Sequence, residues 1–320
     1  MAGLRGKQAW VGLGRQYVKG TPAPITHKAP FSGGSVNPDR SIAQLQETDS
    51  NRDEGVSYVE QVSASGTPEV YARDENIHSL LNAALGATVS SGSAPNYTHT
   101  ITPANALPYM TFYRMIGATL YESFEDCLVN ELTVSADTGG PLTVGVGIMG
   151  RQAKELAGTD PDAMVIPASG AVYNFNEATV TKGGVGTALI SNMELTLSNN
   201  VTLQQTDDVI PYDVVAGMRS VTIGFDIIFE TLADYKAFHY AGGTSQTNAI
   251  QETSLRFEFS KGANNSIRFD IDHAAYEEFP VEPDTGGDPI VVSARARAQR
   301  HPTDPVLESI VKNQKATVAA

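Results

Sequence analysis

The sequence predicts a mainly β protein made of two tandem domains, each with one flanking α-helix. One observation is the alternation of apolar and polar residues at period two over most of the chain, which is typical of strands with one buried face. The other is a repeated order of elements: a strand pair, a helix followed by glycine, a hairpin, and Asp-Thr-Gly-Gly before a last strand. This motif stands at Asp137–Gly140 and again at Asp284–Gly287. A unit duplicated in one chain indicates a protein that builds rings or stacks.

The composition and turn residues divide the chain into five predicted segments. They are an N-terminal arm at 1–30, a first domain at 31–150, a connecting segment at 151–187, a second domain at 188–298, and a C-terminal tail at 299–320. In the tail, Asp304 as cap and Pro305 as first helical residue predict a short helix. A helix of that length must dock on another surface to be stable.

Each domain contains one predicted helix. The first spans Asp74–Leu85 with Asp74 as its N-cap. The second spans Leu232–Ala241, where Thr231 and Asp234 have the spacing of a capping box. Because apolar residues recur at helical spacing on one side, each helix is expected to lie with one face against one sheet.

The clearest strands are Leu255–Ser260 and Ser266–Asp272, which predict a hairpin with one buried face and one wet face. A turn centred on Ala263 sets a register in which opposite charges face each other on one side of the hairpin and aromatic rings on the other. The predicted cross-strand pairs are Glu258 with Arg268, Arg256 with Asp270, and Phe257 with Phe269.

Two long polar segments, Gln46–Gly55 and Gln205–Gly217, interrupt strand pairs at corresponding places in the two domains. Loops of this length between paired strands are usually functional or disordered, and their presence in both copies indicates a shared function. Neither holds enough apolar residues to fold alone, so we expect both to become ordered on contact with a partner. The residues expected to make that contact are Glu47, Asp49, Arg52, Asp53, Glu54, Asp207, Asp208, Tyr212 and Asp213.

The chain is acidic, with 22 Lys and Arg against 36 Asp and Glu and a net charge of −14. This balance argues against a DNA reader but allows a surface past which DNA must move. Cys127 is the only cysteine, which excludes an intrachain disulfide and a Cys-based zinc site. The chain shows neither a secretory signal nor a run close to the ~20 apolar residues of a membrane helix. We therefore expect folding in a cytoplasm and no membrane partner.

The sequence predicts no enzyme, no cofactor and no metal site, because it lacks HExxH, GxSxG and P-loop motifs. Asp270, Asp272 and His273 are the best metal candidates, but Asp270 already has Arg256 across the hairpin. The acidic run from Glu277 to Asp288 is interpreted as a solvated loop. Two cations share a strand face and are expected to meet carboxylates of a neighbouring subunit: Arg295 and Arg297.

Several segments, in this order, resemble the tail tube proteins of tailed phages with long non-contractile tails. The resemblance extends from about Gly12 to Arg297 and is carried by the order of the segments, since no single motif is highly specific. The segments are GLGRQYVKGTPAP, SASGTPEVYARDENIHSLLNAALG, YTHTITPANALPYMTFYRMIG, MELTLSNNVTLQQ and MRSVTIGFDIIFETLADY.

This resemblance implies that each domain is a β-sandwich-like barrel and that copies form rings stacked into a hollow tube. It implies a virion protein assembled in the host cytoplasm, with tape-measure protein and genomic DNA in the lumen and tail terminator and distal tail proteins at the ends. The long loops would reach the adjacent ring, and the terminal segments would tie subunits together. The strand faces expected to line the lumen hold Glu194, Asp226 and Glu230.

Two domains per chain predict three chains in each pseudo-hexameric ring, with six chains per ring as the alternative. A tail terminator or baseplate hub of the same fold remains a rival. A second rival, from a different class, is a ligand-binding β-sandwich module. Such a module needs exposed clustered aromatic rings, and the only tryptophan, Trp10, stands in the predicted arm.

Overall fold

The computed structural model describes residues 9–30, 32–47, 53, 55–117, 119–156, 172–282 and 289–316. Their fold is mainly β, as predicted. The helices are α1 at Ile77–Leu85 and α2 at Leu232–Tyr240, with one 3₁₀ turn at Phe175–Glu177.

The strands of the first half are β1 Ala9–Arg15, β2 His27–Ala29, β3 Val36–Gln44, β4 Ser57–Gly66, β5 Glu69–Tyr71, β6 Gly86–Ser93, β7 Asn96–Pro103, β8 Met110–Ile116, β9 Leu120–Asp137, β10 Thr143–Gly150 and β11 Gln152–Glu155. Those of the second half are β12 Ala178–Lys182, β13 Val185–Thr187, β14 Asn192–Ser198, β15 Thr202–Gln204, β16 Asp213–Val215, β17 Ser220–Ile228, β18 Glu252–Ser260, β19 Ser266–Glu278, β20 Val291–Ala298 and β21 Glu308–Asn313.

The two halves repeat one pairing pattern. In the first half, strands pair in the order β2–β1–β8–β9–β11. The later part of β9 pairs with β10, which pairs with both β4 and β5, and β4 pairs with β3. In the second half the order is β13–β12–β18–β19–β21. The later part of β19 pairs with β20, which pairs with β17, and β17 pairs with β14. The first half also contains the β6–β7 hairpin, which lies outside the repeated pattern. This repetition is compatible with the predicted duplication.

The halves are joined through strand pairing. Seven residue pairs connect β9 with β14, from Ser198 opposite Glu131 to Asn192 opposite Asp137. The β6–β7 hairpin also extends the sheet of the second half, because β7 pairs with β21. One continuous apolar cluster therefore includes buried residues of both halves, for example Leu132 and Leu195.

Strand β9 serves two sheets because it changes direction at Asp126. This residue has a backbone φ of 52°, which residues other than glycine seldom adopt. Its buried carboxylate accepts hydrogen bonds from Gln16 Nε2 (2.7 Å), Gly20 N (2.7 Å) and Arg151 (2.6 Å). These bonds hold the N-terminal segment against the bend.

The predicted N-terminal arm is part of the sheet from residue 9 onward. Strand β1 pairs with β2 on one edge and β8 on the other. Trp10 is 3% exposed and packs with Ile25, Tyr113 and Tyr121. Burial of this ring stabilises the segment in place. It also leaves no exposed tryptophan for a sugar-binding face.

The predicted helix in the C-terminal tail is wrong, because Glu308–Asn313 form strand β21. Its alternate residues Ser309, Val311 and Asn313 are buried, which is the period of a strand. Hydrogen bonding to both β19 and β7 provides partners that an isolated helical turn lacks.

Helix α1 begins later than predicted, at Ile77 with Asn76 in the cap position, and Asp74 does not cap it. The expectation of one buried face is also wrong, since all nine residues of α1 are buried. Strands β6, β7, β9 and β21 surround it. Helix α2 has the opposite environment, with no fully buried residue, and Asp234 pairs with Lys182 instead of capping the helix.

The β18–β19 hairpin has the predicted register at all three predicted pairs. The prediction of a wet face is wrong around Asp270, which is 3% exposed. Its carboxylate accepts hydrogen bonds from Arg256 Nε (2.5 Å) and Arg268 Nε (2.7 Å). Strand β21 occupies the other edge of β19, with Glu308 opposite Asp270.

Candidate functional site

Four neighbouring strands, β9, β14, β17 and β20, present one continuous polar face. In one row across the sheet, Ser135, Glu194, Gly224 and Arg295 lie side by side. The opposite face of the same strands is apolar and buried, as at Leu195. Because side chains alternate along a strand, burial of one face directs the polar residues away from the core.

Asp226 occupies the centre of this face. Its two carboxylate oxygens accept hydrogen bonds from Ser293 Oγ (2.6 Å) and Asn192 Nδ2 (2.6 Å). The Asp226 backbone N–H donates to Asn192 Oδ1 (2.7 Å). The position of this carboxylate is therefore set by its neighbours, whereas Glu194 is exposed on the next strand.

The structure brings together two of the three residues predicted to line a lumen. Glu194 and Asp226 line one shallow groove, while Glu230 follows the end of β17 and lies at the start of α2, away from that groove. The polar residues that line the groove are Ser135, Asp137, Asn192, Glu194, Asp226, Glu278, Ser293 and Arg295.

Arg295 and Arg297 lie on the same face, on the exposed side of β20. Both contact Glu277 of the same chain, with Arg295 Nε 3.7 Å from its carboxylate and Arg297 closer. The sequence did not indicate this partner, because a register shift between Tyr276 and Glu278 brings Glu277 toward β20. The pairing with a neighbouring subunit stays a prediction, and the face carries both signs of charge.

The segment Gln205–Gly217 is folded against its own chain, which differs from the expectation that it becomes ordered on a partner. Strands β15 and β16 pair at its base. Val62 N–H donates to Val209 O (2.9 Å), and Arg151 Nε donates to Pro211 O (2.7 Å). Through these bonds the segment lies on the first half of the molecule.

Two of the residues predicted to contact a partner, Asp213 and Tyr212, contact residues of the same chain instead. Asp213 pairs with Lys19 Nζ (2.9 Å) and accepts a hydrogen bond from Tyr109 Oη (2.6 Å). Burial raises the pKa of Asp213, but the bonds from Tyr109 and Lys19 outweigh it and hold the pKa below its usual value. Tyr212 lies under the Lys19 ammonium, 4.2 Å from the ring centre. Asp207 and Asp208 stay exposed.

The segment Gln46–Gly55 connects β3 and β4, which form a long hairpin whose far end is exposed. Glu47 and Asp53 are exposed, while Asp49, Arg52 and Glu54 lie outside the described residues. Sequence reasoning missed four exposed apolar side chains at the base of this segment. They are Ile42 (61% exposed), Leu45 (48%), Val56 (76%) and Tyr58 (48%).

The Asp-Thr-Gly-Gly motif at Asp137–Gly140 is the tight turn between β9 and β10. Gly140 N–H donates to Asp137 O (2.8 Å), and Gly139 has a φ of 75° that favours glycine. The second motif, with Asp284 and Asp288 of the acidic run, lies outside the described residues.

A comparison with protein families identifies the family to which this β fold belongs. The family model described as phage tail tube protein matches residues 6–298, nearly the whole chain. The chain belongs to the phage tail tube protein family. A comparison with curated proteins found no match.

As a phage tail tube protein, the chain is a structural component of the virion and assembles with copies of itself in the tail. Among the described residues, no helix is long and apolar enough to cross a membrane. The exposed apolar side chains at the base of the β3–β4 loop are typical of a surface that is covered in an assembly.

Proposed function

We propose that this tail tube protein self-assembles into stacked rings that form the hollow tube of a long, non-contractile tail, through which DNA passes during ejection. The observation that carries the proposal is the series β3–β4–β10–β9–β14–β17–β20–β19. It consists of two equivalent four-stranded units placed edge to edge in one chain.

The pairing of β9 with β14 is a template for contact between chains. By the internal repeat, the position of β14 in the second half corresponds to β3 in the first, and β9 corresponds to β19. Within the described residues β3 pairs with β4 alone, so its outer edge is available. The end of β19 near Glu278 of one chain would meet this edge in the next chain. Such closure removes exposed sheet edges, which otherwise promote uncontrolled pairing.

Three chains joined in this way supply six equivalent units around one axis. The experiment is electron microscopy of the purified chain at high concentration, with the subunit count obtained by reconstruction. We expect tubes with three chains per ring. Six whole chains per ring would overturn the three-chain arrangement and leave the tube itself intact. Single rings that never form tubes would instead indicate a terminator or hub.

The polar face around Asp226 is the surface that we assign to the lumen. Exposed carboxylates repel DNA phosphates, so DNA gains little binding energy along the wall and can slide. Arg295 and Arg297 do not reverse this, because Glu277 neutralises part of their charge. Glu230 is not included in the lumen proposal, because it lies beyond the end of β17.

The remaining partners follow from this proposal. The tape-measure protein and genomic DNA would occupy the lumen, and tail terminator and distal tail proteins would cap the ends. The β3–β4 hairpin, with exposed Val56 and Ile42 beside its loop, would contact the adjacent ring. The loop at Gln205–Gly217 would present Asp207 and Asp208 to that ring from a preformed position.

A further inference from the structure

We propose that His273, His301 and Asp304 form a binding site for a divalent transition-metal ion of the zinc class. His273 is on β19, and the other two residues are in the connection from β20 to β21. The site lies in the second half of the chain and has no part in the lumen or loop surfaces described above.

Nitrogen and oxygen atoms of the three side chains lie close together. His273 Nε2 lies 3.0 Å from Asp304 Oδ2, and His301 Nδ1 lies 2.7 Å from the same oxygen. The two imidazole rings are stacked, with centroids 3.9 Å apart and planes 13° from parallel. All three candidate ligand atoms lie within 4.8 Å of one another, so rotation of one imidazole ring out of the stack would place them around one ion.

The donor set suits the proposed ion. Two imidazole nitrogens and one carboxylate oxygen are ligands that Zn²⁺ accepts, with a fourth position left for water. The partly exposed side chains of His301 and Asp304 leave a route from solvent to this position. A hard cation such as Mg²⁺ prefers oxygen ligands and is disfavoured here.

A second carboxylate orients His273. Glu252 Oε2 lies 2.7 Å from His273 Nδ1, on the side of the ring away from Asp304. The contact with Glu252 holds the ring with Nε2 on the side of Asp304, and a carboxylate that orients the ring through its other nitrogen is typical of metal-binding histidines.

A bound ion would join β19 to the segment that precedes β21. Strand β21 pairs with β19 and also with β7 of the first half. Zinc would therefore stabilise the connection between the halves, because an ion that binds the folded chain raises its stability by mass action.

The experiment uses the untagged full-length chain, treated with a chelator and titrated with ZnCl₂ by calorimetry, with Co²⁺ absorption as a second probe. We expect one strong site per chain. His301→Gln and Asp304→Asn should each remove it, and Glu252→Ala should weaken it by about 10- to 100-fold. His239→Gln is the matched control, because His239 lies on α2 outside the cluster.

Thermal unfolding provides a readout independent of the titration. Zinc should raise the midpoint of the wild type and of His239→Gln but leave His301→Gln unchanged. Equal zinc affinity in wild type and His301→Gln would overturn the proposal, as would the absence of a Co²⁺ band. If wild type takes up no metal while His273→Gln lowers stability, the cluster is a hydrogen-bonded contact and the metal site is refuted.

Discussion

At the scale of single residues, a row of histidines connects the elements around α1. His27 on β2 contacts Thr26 Oγ1 (3.0 Å) and Ser79 Oγ of α1 (2.9 Å). Its ring meets His78 edge-on, and His78 stacks on His99 of β7. Burial, with a smaller effect of the Lys315 charge, lowers the pKa of His27 to about 4.

We predict acid sensitivity from this histidine. An unfolded histidine takes up its proton near pH 6.5, but folded His27 does so only near 4, so the unfolded state binds more protons between these values. Stability is fully present above about pH 6.5 and falls by up to about 3 kcal/mol as the pH drops to 4. Urea unfolding at a series of pH values measures the loss. His27→Gln should show a shallower pH dependence, and an equal slope in both proteins would contradict the assignment.

At the scale of elements, β21 shows that pairing with neighbouring strands determines the secondary structure of a short segment. Val311 is fully buried between His99 and Ile267, whereas the neighbouring Lys312 is exposed. We predict that Val311→Ala lowers the free energy of unfolding by about 2 kcal/mol through the cavity it leaves. Lys312→Ala should change it by less than about 0.5 kcal/mol. Chemical denaturation measures both, and similar losses would be inconsistent with the strand.

The β3–β4 hairpin is the second element that can be tested. Replacing Gln46–Gly55 with a two-residue turn should leave a folded chain that no longer polymerises, because no core residue changes. Val56→Ser should weaken polymerisation in the same direction, since Val56 is 76% exposed beside this loop.

Val185→Ser is the matched control for the hairpin, because Val185 is 71% exposed at a different place in the fold. Light scattering and electron microscopy report tube formation, and circular dichroism reports folding. Normal tubes from the shortened variant would refute the role of this loop in contact between rings.

At the scale of the whole molecule, the proposed lumen predicts a charge effect on DNA movement. Glu194→Lys should assemble normally, since Glu194 is exposed on the polar face, but should slow DNA ejection from phage particles at low salt. Added salt should restore the rate, because exposed charges are screened within about 8–10 Å. Glu230→Lys is the control, as an exposed acid beyond the end of β17. An unchanged rate for Glu194→Lys at low salt would place this face elsewhere.

Features that depend on residues close together along the chain could be predicted from the sequence alone. Period-two alternation predicted the β class, and apolar spacing with flanking glycine located both helices to within a few residues. The β18–β19 register was predictable because charges and aromatic residues on adjacent strands agree across one short turn.

Which distant strand edges pair could not be predicted from the sequence. The pairing of β9 with β14, the strand at Glu308–Asn313 and the complete burial of α1 each depend on partners far away in the chain. So does the meeting of His273 with His301 and Asp304. Local periodicity records which face of an element is apolar but not what covers it. Long-range packing makes that choice, because burial and hydrogen bonding are gained only when the partner edge arrives.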